Sequence, residues 1–152
     1  MNHRIETKDT FTVVAIKKRF NPDTSATAIP AFWEHYFSTG LDQHVKGMLG
    51  LCQMIPGSTD FFYAIGGPLQ PGKATPDGFE RLTIPASTWL VFTAIGAMPD
   101  AIQNLWKAIY RQFFPNERFE PLGTYEIEVY TEGDTTSPDY VSEIWIPVKE
   151  KR

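Results

Sequence analysis

The sequence contains a single cysteine, Cys52, among 152 residues. That excludes an internal disulfide and fits a reducing compartment. No stretch approaches the ~20 apolar residues of a membrane span. The opening, MNHRIETKDTF, lacks the apolar run of a secretory signal. The expectation is a cytoplasmic protein with no membrane partner. Positive charge is not in excess either: the formal net charge is −4, and the densest basic run is only Lys17–Arg19. Direct nucleic-acid binding, which needs a basic patch, is therefore not expected. The three histidines, His3, His35 and His44, have no metal-ligand spacing with one another or with Cys52. No Gly-x-Ser-x-Gly elbow is present to present a nucleophilic serine. GGPLQPG, Gly66–Gly72, has glycines but no Gly-Lys-Ser/Thr ending and no helix behind it. It reads as a flexible surface loop, not as a phosphate cradle. Neither a metal nor a cofactor is expected.

What is present suits a globular chain. Hydrophobic residues make up 42% and charged residues 21%, and a chain of this length buries roughly 70% of its unfolded surface. One domain over residues 1–152 is expected. The aromatic share, 14%, is high, and rings fill cores and line ligand sites alike. Phe11–Phe20 reads as a strand, rich in β-branched residues. Ala28–Thr39 reads as a helix, with Thr27 as cap, Gly40 as stop and Pro30 in its first turn. Its apolar stripe is Ile29, Phe32, Trp33, Tyr36 and Phe37. Strands follow at Leu49–Ile55, Phe61–Gly66, Phe79–Ile84 and Ser87–Ala94. A second helix runs from Pro99 to about Phe114, striped by Ile102, Leu105, Trp106, Ile109, Tyr110 and Phe113, and Pro115 ends it. Strands at Thr124–Tyr130 and Tyr140–Val148 complete the chain.

The order strand, helix, strand, strand occurs twice. AIPAFWEHYF in the first helix is echoed by AIQNLWKAIYRQF in the second. A pseudo-repeat over about 11–66 and 87–148 follows. The predicted class is α+β: duplicated strand-helix-strand-strand units forming one largely antiparallel sheet, with two main helices and a cleft between the halves.

Three carboxylates on the last two strands need assignment. Glu126 and Glu128 alternate with Tyr125, Ile127 and Val129, the pattern of a half-wet strand with solvated acids. Glu143 shares a strand face with Val141, Trp145 and Pro147. Burying it without a partner would be costly, and an organic cation would remove that cost.

The chain resembles the GyrI-like small-molecule-binding domain, also called the AraC-type effector-binding domain. LTIPASTWLVFTAIG (Leu82–Gly96), IQNLWKAIYRQFFPN (Ile102–Asn116), YEIEVY (Tyr125–Tyr130) and YVSEIWIPVK (Tyr140–Lys149) carry the likeness. The resemblance implies a carboxylate on the terminal strand facing the cleft, matched by Glu143, and an aromatic after Ile-Pro-Ala, matched by Trp89. It implies hydrophobic, often cationic, ligands. Many members carry a helix-turn-helix region. Too few residues precede Phe11 for one here, so the chain is similar to standalone versions found on integron cassettes, with a separate transcription regulator as a candidate partner.

The expected function is binding of an amphipathic organic cation near Glu143. Trp89, Trp145, Trp33, Phe37, Trp106 and Tyr110 are its candidate aromatic walls. Two alternatives stand beside it. One, implied by the resemblance, is a hydrolase of strained-ring compounds, with Glu143 as general base and Trp89 positioning the substrate. The other is a protein-interaction module for a transcription regulator.

Overall fold

The computed structural model describes residues 1–152. Nine strands are present: β1 (His3–Lys8), β2 (Phe11–Phe20), β3 (Met48–Met54), β4 (Phe61–Pro68), β5 (Glu80–Ile84), β6 (Ser87–Ile95), β7 (Phe119–Pro121), β8 (Tyr125–Tyr130) and β9 (Val141–Glu150). Helix α1 spans Ser25–Ser38 and helix α2 spans Asp100–Ala108. The chain divides into two compact units, one of residues 10–85 and one of residues 1–9 with 86–152. No helix is long and apolar enough to cross a membrane.

In the 10–85 unit the strands lie in the order β5, β2, β4, β3, each neighbouring pair antiparallel. In the other unit the order is β1, β6, β9, β8, again antiparallel, with β7 also on β9. The two orders correspond: in each, the strand before the helix lies beside the last strand of the repeat, which lies beside the middle one. The α+β class and the repeated strand-helix-strand-strand connectivity agree with the sequence reading.

Each unit buries one helix face on one sheet face. Phe32 and Tyr36 of α1 pack with Val14, Tyr63, Ile65 and Phe79. Ile102 of α2 packs with Leu90, Phe92, Ile144 and Ile146. Full burial of such a side chain contributes roughly 1.5–3 kcal/mol. Leu90 stands opposite Ile146 and Phe92 opposite Ile144. The period of two therefore sends Trp89, Val91, Glu143 and Trp145 to the sheet face away from α2.

Several expectations need correction. The N-terminal segment, to which the sequence pattern assigns no element, is a strand: β1 pairs with β6 from His3 opposite Phe92 to Lys8 opposite Ser87. His3 packs its ring on Phe92 and Phe113, at 5.6 and 4.8 Å. Gly66 and Gly67 are not in a flexible loop; both are buried in β4. Helix α1 starts at Ser25, where Asn21 Oδ1 accepts from the Thr24 amide at 3.0 Å. Pro30 consequently lies beyond the first turn, and exposure of that helix face leaves the carbonyl it cannot serve to water. Pro115 does not end the second helix. A π-helical turn, Ile109–Phe113, follows α2, and one more α-helical turn covers Phe114–Asn116. The wider turn lets the consecutive residues Phe113 and Phe114 both enter the core.

Candidate functional site

Strand β8 carries YEIEVY between β9 and the second helix. Glu128 stands opposite Ile144, and Val129 opposite Glu143. Since Ile144 belongs to the core beneath α2, Glu128 faces the helix, and Glu126, two residues earlier, shares that face. The expectation of solvated acids is thus corrected. Glu126 is 8% exposed, and Glu128 is half-buried.

The helix supplies donors to both. Trp106 Nε1 donates to Glu128 Oε2 at 2.8 Å. The Tyr110 hydroxyl donates to Glu126 Oε2, and the Tyr130 hydroxyl donates to Glu128 Oε1 at 3.2 Å. Trp106 and Tyr110 are four residues apart, hence on one side of the helix. Their rings stack, 6.3 Å apart and 19° from parallel, and Tyr110 continues to Phe114 at 5.4 Å. The result is two carboxylate-bearing residues about 7 Å apart along a strand, beneath a row of rings. Indole and phenol donors are neutral, so they hold the carboxylates without cancelling their charge. Burial pushes the Glu126 carboxyl above its ordinary range, and the bond from Tyr110 offsets part of that rise.

Glu143 lies on the opposite face of the same sheet. It is not an orphan. Arg4 Nη1 of β1 lies 3.0 Å from its Oε2, and Trp145 Nε1 donates to Oε1 at 3.2 Å. Its side chain is 18% exposed. The charge row continues along β1, where Glu6 bridges Arg4 at 3.3 Å and Lys8 at 3.2 Å. Lys8 Nζ also sits 4.2 Å over the Trp145 ring. Trp89 is fully buried and meets Trp145 edge to face at 6.4 Å. The missed β1 therefore brings its own cations to the carboxylate and the indole that sequence reasoning assigned to a guest.

The expected site residues fall into three groups. Glu143, Trp89 and Trp145 share one sheet face, while Trp106 and Tyr110 share the other with Glu126 and Glu128. Trp33 and Phe37 belong to α1. There Trp33 Nε1 donates to the Tyr63 hydroxyl at 2.9 Å, and its ring stacks on Phe37 at 5.8 Å. Phe37 is 44% exposed and Tyr110 42%. The signal that could have found Glu126 and Glu128 was the spacing of Trp106 and Tyr110. Two ring donors one turn apart match two carboxylates two residues apart on a strand.

Comparison with known proteins agrees with this fold. The transcriptional regulator BrlR of Pseudomonas aeruginosa is 24% identical over 156 residues, which cover 97% of this chain and 56% of the regulator. The chain thus spans about half the length of that relative. The structure of SAV2435 bound to tetraphenylphosphonium superposes with a TM-score of 0.87 at 26% identity, covering 98% of this chain and 94% of that one. An integron cassette protein from the mobile metagenome of Vibrio cholerae shares the fold, with a TM-score of 0.73 at 18% identity over 97% of this chain and 95% of that one. The family model for the GyrI-like small molecule binding domain matches residues 1–149, and the chain belongs to that family.

Proposed function

We propose that the protein binds hydrophobic organic cations, with Glu126 and Glu128 as the anionic partners and Trp106, Tyr110 and Tyr130 as the wall. The observation that carries this reading is the pairing of two carboxylates with neutral ring donors on one sheet face. Like charges on one strand face in a partly dry setting repel, and a cation between them relieves the repulsion. Aromatic faces add cation–π attraction of roughly 0.5–2 kcal/mol. They hold an apolar body without demanding one shape. A micromolar dissociation constant, about −8 kcal/mol, is within reach of such a site. The relative bound to tetraphenylphosphonium supports this ligand class.

Glu143 takes a lesser part in this reading because Arg4 already balances it. Trp89 and Trp145 then act as support for the sheet, and Trp33 with Phe37 is an aromatic pair of the 10–85 unit. A link to transcription rests on the relationship to BrlR, and is part of the proposal.

The test compares ions of nearly one shape and opposite sign. Tetraphenylphosphonium should quench or shift tryptophan fluorescence saturably, and tetraphenylborate should bind at least about tenfold more weakly. Equal binding of the two would remove the charge-based reading.

A further inference from the structure

The glycine pair at the end of β4 points to a second site, in the 10–85 unit. A Cβ on Gly67 would stand 2.1 Å from the Lys46 carbonyl oxygen. Only glycine lets the two backbones cross that closely. Gly47, at φ +94°, turns the chain toward β3 beside Pro68. The segments before β3 and after β4 are thereby locked together. Beside this crossing is a shallow hollow of about 30 Å³, partly open to solvent. Val14, Val45 and Leu69 give it an apolar floor, His44 and Lys46 line one side, and Lys73 comes from the GGPLQPGK segment.

No acidic residue lines the hollow. Lys46 and Lys73 take no part in the chain's ion pairs, whereas Lys8, Lys17 and Lys149 each face a carboxylate. In a chain of net charge −4, two uncompensated ammonium groups around one concavity form a local positive focus. The apolar floor lowers the dielectric at their feet and offers contact to carbon.

We propose that this shallow hollow binds the head group of an organic oxyanion, a carboxylate or phosphate ester, whose short apolar body remains partly in solvent. The anionic group sits between Lys46 and Lys73 with His44 beside it, and the body rests on Val45 and Leu69. This site is separate from the carboxylate cluster on β8, and neither depends on the other.

The experiment is an amide chemical-shift titration of the whole chain with benzoate, phenyl phosphate, inorganic phosphate and benzyl alcohol. The proposal predicts saturable shifts around residues 44–47 and 69–76 with benzoate or phenyl phosphate, at roughly millimolar affinity. Whichever of the two binds more tightly identifies the head group. Benzyl alcohol should not bind, and inorganic phosphate should bind more weakly than phenyl phosphate. The exposed substitutions Lys46→Met and Lys73→Met keep the aliphatic stems. Each should weaken binding about fivefold, while Glu128→Gln should leave it unchanged. Absence of saturable shifts in the wild type, or affinity unchanged from the wild type in both lysine variants, overturns the site. Inorganic phosphate binding as tightly as phenyl phosphate overturns the organic body.

Discussion

Trp106 and Glu128 meet across 2.8 Å, indole nitrogen to carboxylate oxygen, tying the second helix to β8. One turn on, Tyr110 repeats the relationship with Glu126. Trp106→Phe keeps the ring but removes the donor. It should leave the fold intact and reduce tetraphenylphosphonium affinity only a few-fold, because the carboxylate remains. Trp106→Ala removes the wall and should cost about tenfold or more. Titration calorimetry on the two variants separates donor from wall.

Burial raises the Glu126 pKa, so ionising this group costs the folded state free energy. The folded protein holds this proton more tightly than the unfolded chain does. Stability from this group is therefore greatest below the ordinary carboxylate value of 4.5, and declines as pH rises through the raised one. Glu126→Gln should flatten that decline and raise the melting temperature at neutral pH. Cation affinity should move the other way with pH, rising as Glu126 ionises, with proton release on binding. Thermal melts and calorimetry in two buffers of different ionisation enthalpy check both signs.

The Arg4–Glu143 pair links β1 to β9, yet the arginine side chain is 49% exposed. Solvent screens such a pair, and its loss should cost no more than about 1 kcal/mol. Arg4→Met should melt within a few degrees of the wild type. A large loss of stability in denaturant titration would show that β1 matters more to the sheet than its single apolar residue suggests.

The Tyr36 hydroxyl is buried without a hydrogen-bond partner, and burial pushes its pKa up to about 12. Removing an unsatisfied buried hydroxyl is neutral or stabilising. Tyr36→Phe should raise the denaturation midpoint or leave it unchanged. Gly67→Ala should do the reverse, since its methyl meets the Lys46 carbonyl oxygen. A loss of roughly 1–3 kcal/mol is expected, typical of overpacking.

Where the apolar pattern was strong, the sequence was sufficient. Phe11–Phe20 matches β2 residue for residue, and the α1 and α2 stripes do cover their cores. HRIETK was illegible because Ile5 is its only aliphatic residue, and even that is 50% exposed. Its pairing comes from the neighbouring β6 edge, which no local pattern records. YEIEVY misled for a different reason. Alternating acids look solvated, but which strand face a helix covers is a tertiary fact, and here the helix brings polar rings to meet them. Glu143 was placed on the correct strand face, while its partner Arg4 lies 139 residues away in sequence. The π-helical turn after α2 was also invisible, since IYRQF fits a regular helix equally well.

The most direct measurement is the calorimetric affinity of tetraphenylphosphonium for the wild type, Glu128→Gln and Glu143→Gln. The account predicts a loss of about tenfold or more in Glu128→Gln and a change within about twofold in Glu143→Gln. Full affinity in Glu128→Gln together with a large loss in Glu143→Gln would contradict it.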